Sequence, residues 1–415
     1  MAAPLRFWVL TTAGPASVQP ISRMIEAFSR RSGVPVELRA IPWGRGWRAL
    51  TRAIKRRDLP DVMHIGSTWI ATLAHLDLLA EAPRGVWTQP TVAPWVDEAA
   101  LAGGVAWAVP WTVECNVLIG RTDLLEAAGV APEEFSDWDG FLQVCRRLDG
   151  MGRSGDGPLK GILPVAVHSR PDSVTLHWAT PWLWSGGWRL DRETLVHGVV
   201  LRDESAEPGL QFIAELFKTS PLLPEMADTS SFRVALDFFE AGRYVFYSSH
   251  SVHFFRPLVQ AGPGERPSRW PMAMFPLPRG PAGPLTRGGG SFLAVSRTSK
   301  QPAVAWELVR FLTEDQQLTE LALVTGELPA LQGTFWSQYA HHPAHREVLQ
   351  MLRNARAYPP HPLWRTVESL LVNGIGEICW RFARGQGYDA ALQSLTAQID
   401  QRIQNLLRLG WEVSA

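Results

Sequence analysis

The sequence predicts an α/β chain folded as two domains, and three observations carry that reading. Its 415 residues exceed what one ordinary core needs. Short apolar runs alternate with stretches of helical periodicity, the pattern of a mostly parallel sheet flanked by helices. Residues 104–129 read as an apolar strand, a polar kink carrying Trp111, Glu114 and Asn116, a second apolar run, and a helix stopped by Gly129. Polar groups set between buried strands are costly unless partnered. That stretch is therefore read as a crossing between two lobes that share one cleft.

In chain order, 5–10 is a buried strand ending in a turn at Thr11 and Thr12. Ile21, Ile25 and Phe28 recur at helical spacing up to Gly33, and 36–41 is a second strand. Residues 42–46 form a Gly-flanked loop holding Trp43, and Trp47, Leu50 and Ile54 mark the next helix. A third strand at 61–65 leads into a helix start at Ser67, Thr68 and Trp69. In such sheets ligands gather beyond the carboxyl ends of the strands, where Thr11, Trp43 and Ser67–Trp69 fall. After the crossing, 133–148 is a helix and 150–157 an exposed Gly-rich loop. The aromatic stretch 173–184 is a helix stopped by Gly186-Gly187. Helices follow at 209–217 and 231–240, then a strand at 244–248. The Pro- and Gly-rich 257–290 reads as a wandering surface segment. A strand at 288–296 and a helix at 303–312 precede a break at 326–330, beyond which the pattern is helical.

Forty basic and forty acidic residues give zero formal net charge, so no global field draws the chain to nucleic acid or an anionic membrane. Nineteen tryptophans exceed what packing requires; an indole offers a flat apolar face and one N–H donor. Cys115, Cys145 and Cys379 have neither metal-ligand spacing nor a disulfide framework, so no metal and no cofactor are expected. No apolar run reaches the length of a membrane span and no signal peptide is read before the first strand. On this reading the protein is either cytosolic or has lost an export signal.

Several stretches carry, in this order, a resemblance to a known family. They are Leu59-Pro-Asp-Val-Met-His-Ile-Gly-Ser-Thr-Trp69, the 110–125 crossing, Phe239-Glu-Ala-Gly-Arg-Tyr-Val-Phe-Tyr247, and Gly290-Ser-Phe-Leu-Ala-Val295 with its following helix. Together they resemble the family 1 extracellular solute-binding proteins, the carbohydrate receptors of bacterial ABC importers, over nearly the whole chain. The resemblance implies a two-lobed periplasmic-binding-protein fold of type II-like form, with three crossings near 110–114, 289–291 and 326–329. The first lobe would hold 1–111 and 291–327, and the second 112–290 and 328–415, with a helical C-terminal extension. It also implies a periplasmic or extracellular, monomeric receptor that hands a mono- or oligosaccharide to its membrane permease, with no nucleic-acid partner. Two departures stand out: no signal peptide is read, and where many members carry a Gly-Pro-Trp-like turn after Tyr247 this chain has Ser248-Ser-His-Ser-Val252.

A sugar presents an apolar C–H face and a rim of hydroxyls, so its natural site pairs an aromatic plane with groups that hydrogen-bond bidentately. Glu114 matches a position where relatives place a ligand carboxylate; the plainer alternative is a hinge salt bridge. Trp111, Trp43 and Trp69 are candidate platforms, with Ser67 and Thr68 as hydroxyl or N–H donors or simply as helix caps. Thr11 is a weaker candidate, since turns favour threonine. On the 173–184 helix, Trp178 and Trp182 share a face and are expected to look at the cleft, with His177 beside them. Tyr247, Ser249 and His250 follow a strand toward the cleft, and Gly289 and Gly290 lie at the second crossing. Trp364 corresponds to a segment that carries a stacking ring in relatives, with Arg365 as a polar partner. The expected function is a carbohydrate-binding receptor without chemistry. The alternatives are a receptor for a polyamine, phosphodiester or peptide, and, further off, a glycosidase, for which no paired carboxylate pattern is found.

Overall fold

The computed structural model describes residues 3–11, 18–154, 156–197, 201, 204–227, 234–260, 268–339 and 342–408. Thr12 lies outside them. The strands are β1 (Leu5–Thr11), β2 (Val36–Pro42), β3 (Val62–Gly66), β4 (Leu101–Ala102), β5 (Val105–Ala106), β6 (Val109–Arg121), β7 (Leu163–Ala166), β8 (Tyr244–His250), β9 (Met272–Phe275), β10 (Gly288–Val295) and β11 (Leu328–Pro329). Hydrogen bonding runs in the order β2-β1-β3-β10-β6-β8-β7, with β9 and β11 also paired to β6, while β4 and β5 form a separate hairpin.

The expected mostly parallel sheet is instead mixed. β1 lies parallel to β2 and β3, and β7 to β8, whereas β10 is antiparallel to β3 and β6, and β6 is antiparallel to β8, β9 and β11. The reason lies in the crossings. A chain that leaves one half of the sheet along β6 must return along β10, so the central strands oppose each other while the βα units on either flank stay parallel.

The expected kink at 111–116 is also corrected. β6 continues as a strand for 13 residues, with one irregularity at Trp111, which has no opposite residue between the Pro110–Phe292 and Thr112–Ser291 pairs. Its first half pairs with β10 and β11, its second with β8 and β9. Strand alternation sends Thr112, Glu114 and Asn116 to one face and Val113, Cys115 and Val117 to the other, so polar residues need not interrupt it.

Trp43 is not in a loop: it opens the helix Trp43–Arg56 directly off β2. The helix Trp138–Arg153 extends into the loop expected at 150–157. The supposed surface wanderer at 257–290 contains the end of the helix Val252–Gln260, the strand β9, and the buried Thr286 and Arg287. β9 is four residues long and too short to show a period against a Pro- and Gly-rich background. Helix Ser173–Gly186 ends, as expected, at Gly187 in the left-handed region, φ 116°. It is buried on nearly every side, and Trp178, Trp182 and Trp184 all lie in the core on the β7–β8 side.

Candidate functional site: the crossing of three chain segments

The three crossings lie side by side. Gly289 pairs with Glu114, Gly290 with Val113 and Ser291 with Thr112 on one edge of β6, while Leu328 and Pro329 pair with Val113 and Thr112. The Thr112 and Ser291 hydroxyls share a hydrogen bond of 2.6 Å. Gly290 has to be glycine, because a Cβ there would collide with the Thr112 carbonyl. Gly326 caps the helix Asp315–Thr325 at φ 74° and abuts the backbone of Arg256.

Beside this junction, Arg287 organises a buried polar hub. Its Nε donates to Asn116 Oδ1 at 3.0 Å and its Nη2 to Glu114 Oε1 at 3.1 Å. The Asn116 N–H donates to the Arg287 carbonyl at 3.0 Å, and the Asn116 side-chain amide donates to the His177 carbonyl at 3.2 Å. His250 Nδ1 lies 3.4 Å from Glu114 Oε2. Burial first, and the Arg287 charge second, hold the His177 and His250 imidazoles well below their ordinary pKa. The His250–Glu114 contact is therefore that of a neutral imidazole with a carboxylate, not an ion pair. His177 Nδ1 is 3.1 Å from the Tyr358 hydroxyl, which also meets Thr180 Oγ1 at 2.8 Å and whose ring stacks on Trp364 at 4.7 Å. Glu327, on the third crossing, is half-buried, and desolvation raises its pKa, opposed by Arg256 3.9 Å away and reinforced by Glu114.

From Trp111, on the same strand as Glu114 and Asn116, runs a chain of rings. Trp111 meets His64 edge-on at 4.8 Å, His64 meets Trp43 at 5.5 Å, Trp43 meets Trp69 at 6.0 Å, and Trp69 meets Trp47 at 5.3 Å. His64 Nδ1 accepts from the Leu10 N–H at 3.1 Å, so its proton sits on Nε2, and burial lowers its pKa to about 3. Among the described residues His64 Nε2, Trp111 Nε1, Trp364 Nε1 and Arg365 Nε are buried here without a hydrogen-bond partner, as are other donors in the core such as Trp178 and Trp182 Nε1. Such groups are costly unless a ligand or water meets them.

The two sides touch at Arg365. Its guanidinium carbon lies 4.6 Å from the Trp47 ring and 5.8 Å from Trp69, and it pairs with Glu368 one turn along its own helix. Desolvation raises the Glu368 pKa, with Arg365 pulling the other way. Next to it, the Thr72 hydroxyl donates to the Pro362 carbonyl at 2.7 Å.

Of the residues expected at the site, the structure brings Glu114, His177, His250, Gly289 and Gly290 around Arg287, and Trp43, Trp69 and Trp111 into the chain of rings. Ser67 and Thr68 sit on the short turn before Trp69, half-buried, and Thr11 pairs with Pro42 next to Trp43. Trp364 and Arg365 stand between the two groups. Trp178 and Trp182 are corrected: Trp182 packs on Phe141 and Phe212, and Trp178 on Phe217 and His168, both in the core. The face of this helix that meets Tyr358 carries His177, Thr180 and Trp184, and Trp178 and Trp182 lie off it. Tyr247 and Ser249 are corrected too, since alternation along β8 turns them away from the face that carries His250. Tyr247 stacks on Phe239, with its hydroxyl 3.2 Å from His253. Sequence reasoning missed Arg287, Tyr358, His64, Trp47 and Glu327. Arg287 next to three glycines was the one available signal.

Among the described residues no group of three or more His, Cys, Asp or Glu side chains is arranged to hold a metal ion. A cavity of about 460 Å³, lined by Ser169, Arg170, Asn373, Glu377 and Trp380 among others, lies between the loop after β7 and the far part of the helix Trp364–Ala383. The site is assigned to the crossing rather than to that cavity, because the buried polar groups converge at the crossing.

A family model described as bacterial extracellular solute-binding protein matches residues 23–344. The chain belongs to that family. A curated relative of this solute-binding protein, the probable ABC transporter-binding protein of Deinococcus radiodurans, is 28% identical over 234 residues, 55% of this chain and 52% of the relative. The chain thus spans about half the length of that relative. Solved structures share the fold over the whole length. An ABC transporter solute binding protein of Thermotoga lettingae bound with α-D-tagatose superposes with a TM-score of 0.79 at 16% identity, covering 98% of this chain and 100% of its own. The maltose-bound T. maritima MalE3 gives 0.78 at 19%, covering 98% and 100%. The sugar-binding protein MalE of Xanthomonas citri gives 0.75 at 22%, covering 97% and 98%. The solute-binding protein therefore has the two-lobed α/β fold that the resemblance implied, with the mixed sheet described above.

Proposed function

We propose that this solute-binding protein is the receptor of an ABC importer and binds a mono- or oligosaccharide between its lobes. The observation that carries the reading is the convergence, at the crossing, of a row of indoles and a polar hub built on the buried Arg287 and Asn116. Rings meet the apolar face of a sugar and the hub meets its hydroxyls. The likeness to the ABC transporter-binding relative of Deinococcus and to the tagatose- and maltose-bound structures supports the same reading.

The lobes are assigned as 1–111 with 291–327 and 112–290 with 328–415, and closure turns on the segments around Gly290 and Gly326. A neutral ligand is favoured over a charged one, because at the crossing Arg287 is matched by Glu114 and Arg365 by Glu368. The same pairing argues against glycoside hydrolysis, since Glu114 and Glu327 each face a guanidinium. The protein acts outside the cytoplasmic membrane, as a monomer that meets its permease; no helix among the described residues is long and apolar enough to cross a membrane. Thermal-shift screening against mono- and oligosaccharides tests the proposal. A ligand that binds only the folded state, at 100 times its Kd, adds about 2.7 kcal/mol and raises the melting temperature by several degrees. A flat response across the panel, or a shift only with charged solutes that fades with salt, would overturn it.

A further inference from the structure

The contact between the two sides of the cleft at Arg365 is made by protein groups alone, and its chemistry competes with that of a sugar. Arg365 belongs to the second-lobe helix Trp364–Ala383, yet its guanidinium rests on Trp47 and Trp69 of the first lobe, 4.6 and 5.8 Å from the ring centroids. Glu368, buried one turn further on, anchors it from its own side. The hydrogen bond from Thr72 to the Pro362 carbonyl ties the same two surfaces together. A guanidinium stacks flat on an indole through both its charge and its plane, and the sugar C–H face seeks that same indole surface.

We propose that Arg365 is a specificity-determining clamp: it joins the lobes through Trp47 and Trp69, withholds those two indole faces from a ligand, and so limits the length of saccharide the cleft accepts. The limit on length rests on the carbohydrate reading above, whereas the clamp itself does not. With the guanidinium in place, a sugar is confined to the stretch between Trp111, the Arg287–Glu114 pair and Trp364. Without it, the wall extends outward by two rings.

Small-angle scattering without added sugar tests the clamp. Arg365→Ala is expected to expand the protein, shifting the equilibrium between open and closed forms by about three- to thirtyfold, the span of a cation–π contact from exposed to desolvated settings. Arg365→Lys, which keeps the charge and loses the plane, should fall between the two. Trp47→Leu removes the same contact from the other lobe at a half-buried position, so it serves if the loss of the Glu368 partner unfolds the Arg365 variant. The double variant should open no further than either single one. In calorimetric titrations with maltose and maltotetraose, Arg365→Ala should favour the longer sugar by a similar factor relative to wild type. Scattering profiles of folded Arg365→Ala and Trp47→Leu identical to wild type would overturn the clamp. An equal loss of affinity for both sugars would instead make Arg365 a plain ligand contact and overturn the limit on length. If neither sugar binds the wild type, the carbohydrate reading and the limit on length fail together, while scattering still decides the clamp.

Discussion

The two walls of the cleft are built on opposite principles. The first is a row of rings, from the buried Trp111 to the half-buried Trp47, in which each member touches its neighbour edge-on or at a tilt. The second is a hub in which one buried guanidinium serves Glu114 and Asn116, with His250 and His177 close by. A row of rings loses one contact when one ring goes. A hub leaves several polar groups unpaired when its centre goes. The difference predicts where single substitutions are tolerated and where they are not.

The largest effect is expected at the centre of the hub. Arg287→Ala strands the Glu114 carboxylate and the Asn116 amide oxygen together and should cost about 4 kcal/mol in urea unfolding, the scale for breaking a buried pair by removing one partner. A loss below about 1 kcal/mol, the scale of an exposed ion pair, would mean that water already solvates the hub. In that case the contrast between the walls disappears.

The second test separates rings that line the cleft from rings that only fill space. Trp182→Ala opens a void between Phe141 and Phe212 and should cost about 3 kcal/mol of stability while leaving the ratio of sugar affinities unchanged. Trp47→Ala should show the reverse, a stability change within about 1 kcal/mol and an altered ratio. If Trp182→Ala shifted the ratio, the assignment of that helix to the core would be wrong in functional terms.

That pair of tryptophans also shows what could be read from the sequence. The flanks of the fold were legible, because Ile21, Ile25 and Phe28 keep helical period, Gly33 ends their helix, and β1 to β3 alternate with helices. Glu114 and the glycines of the second crossing were legible because a carboxylate and a Gly triplet stand out in apolar strands. Which tryptophans face the cleft was not legible. Residues 173–184 set large rings around almost the whole helix and only His177 and Thr180 mark the side that meets Tyr358, a signal too weak to choose a face by spacing, and Trp47 looked like an ordinary core position of an amphipathic helix. Arg287 stayed hidden for another reason: its partners are 171 and 173 residues away along the chain. Such pairings are set by the register of β6 against β10, which local pattern does not specify.

The smallest effect concerns protons and lies in the wall of rings. Burial lowers the His64 pKa to about 3, against 6.5 for an exposed histidine. As pH falls below 6.5 the unfolded chain takes up a proton that the folded protein refuses. His64 therefore contributes stability that is complete above pH 6.5 and is lost as pH falls toward 3. In that window the slope attributable to this one residue approaches about 1.4 kcal/mol per pH unit. His64→Gln keeps an acceptor for the Leu10 N–H and removes the titration, so its stability should fall less steeply than wild type between pH 6.5 and 4.5, as measured by urea midpoints. Equal slopes would show that His64 takes up its proton in the folded state, placing charge in the ring wall and ending the division into an aromatic and a polar side. A shallower slope for the variant would show that His64 stays neutral in the folded protein, so that the row of rings carries no charge of its own beneath Arg365.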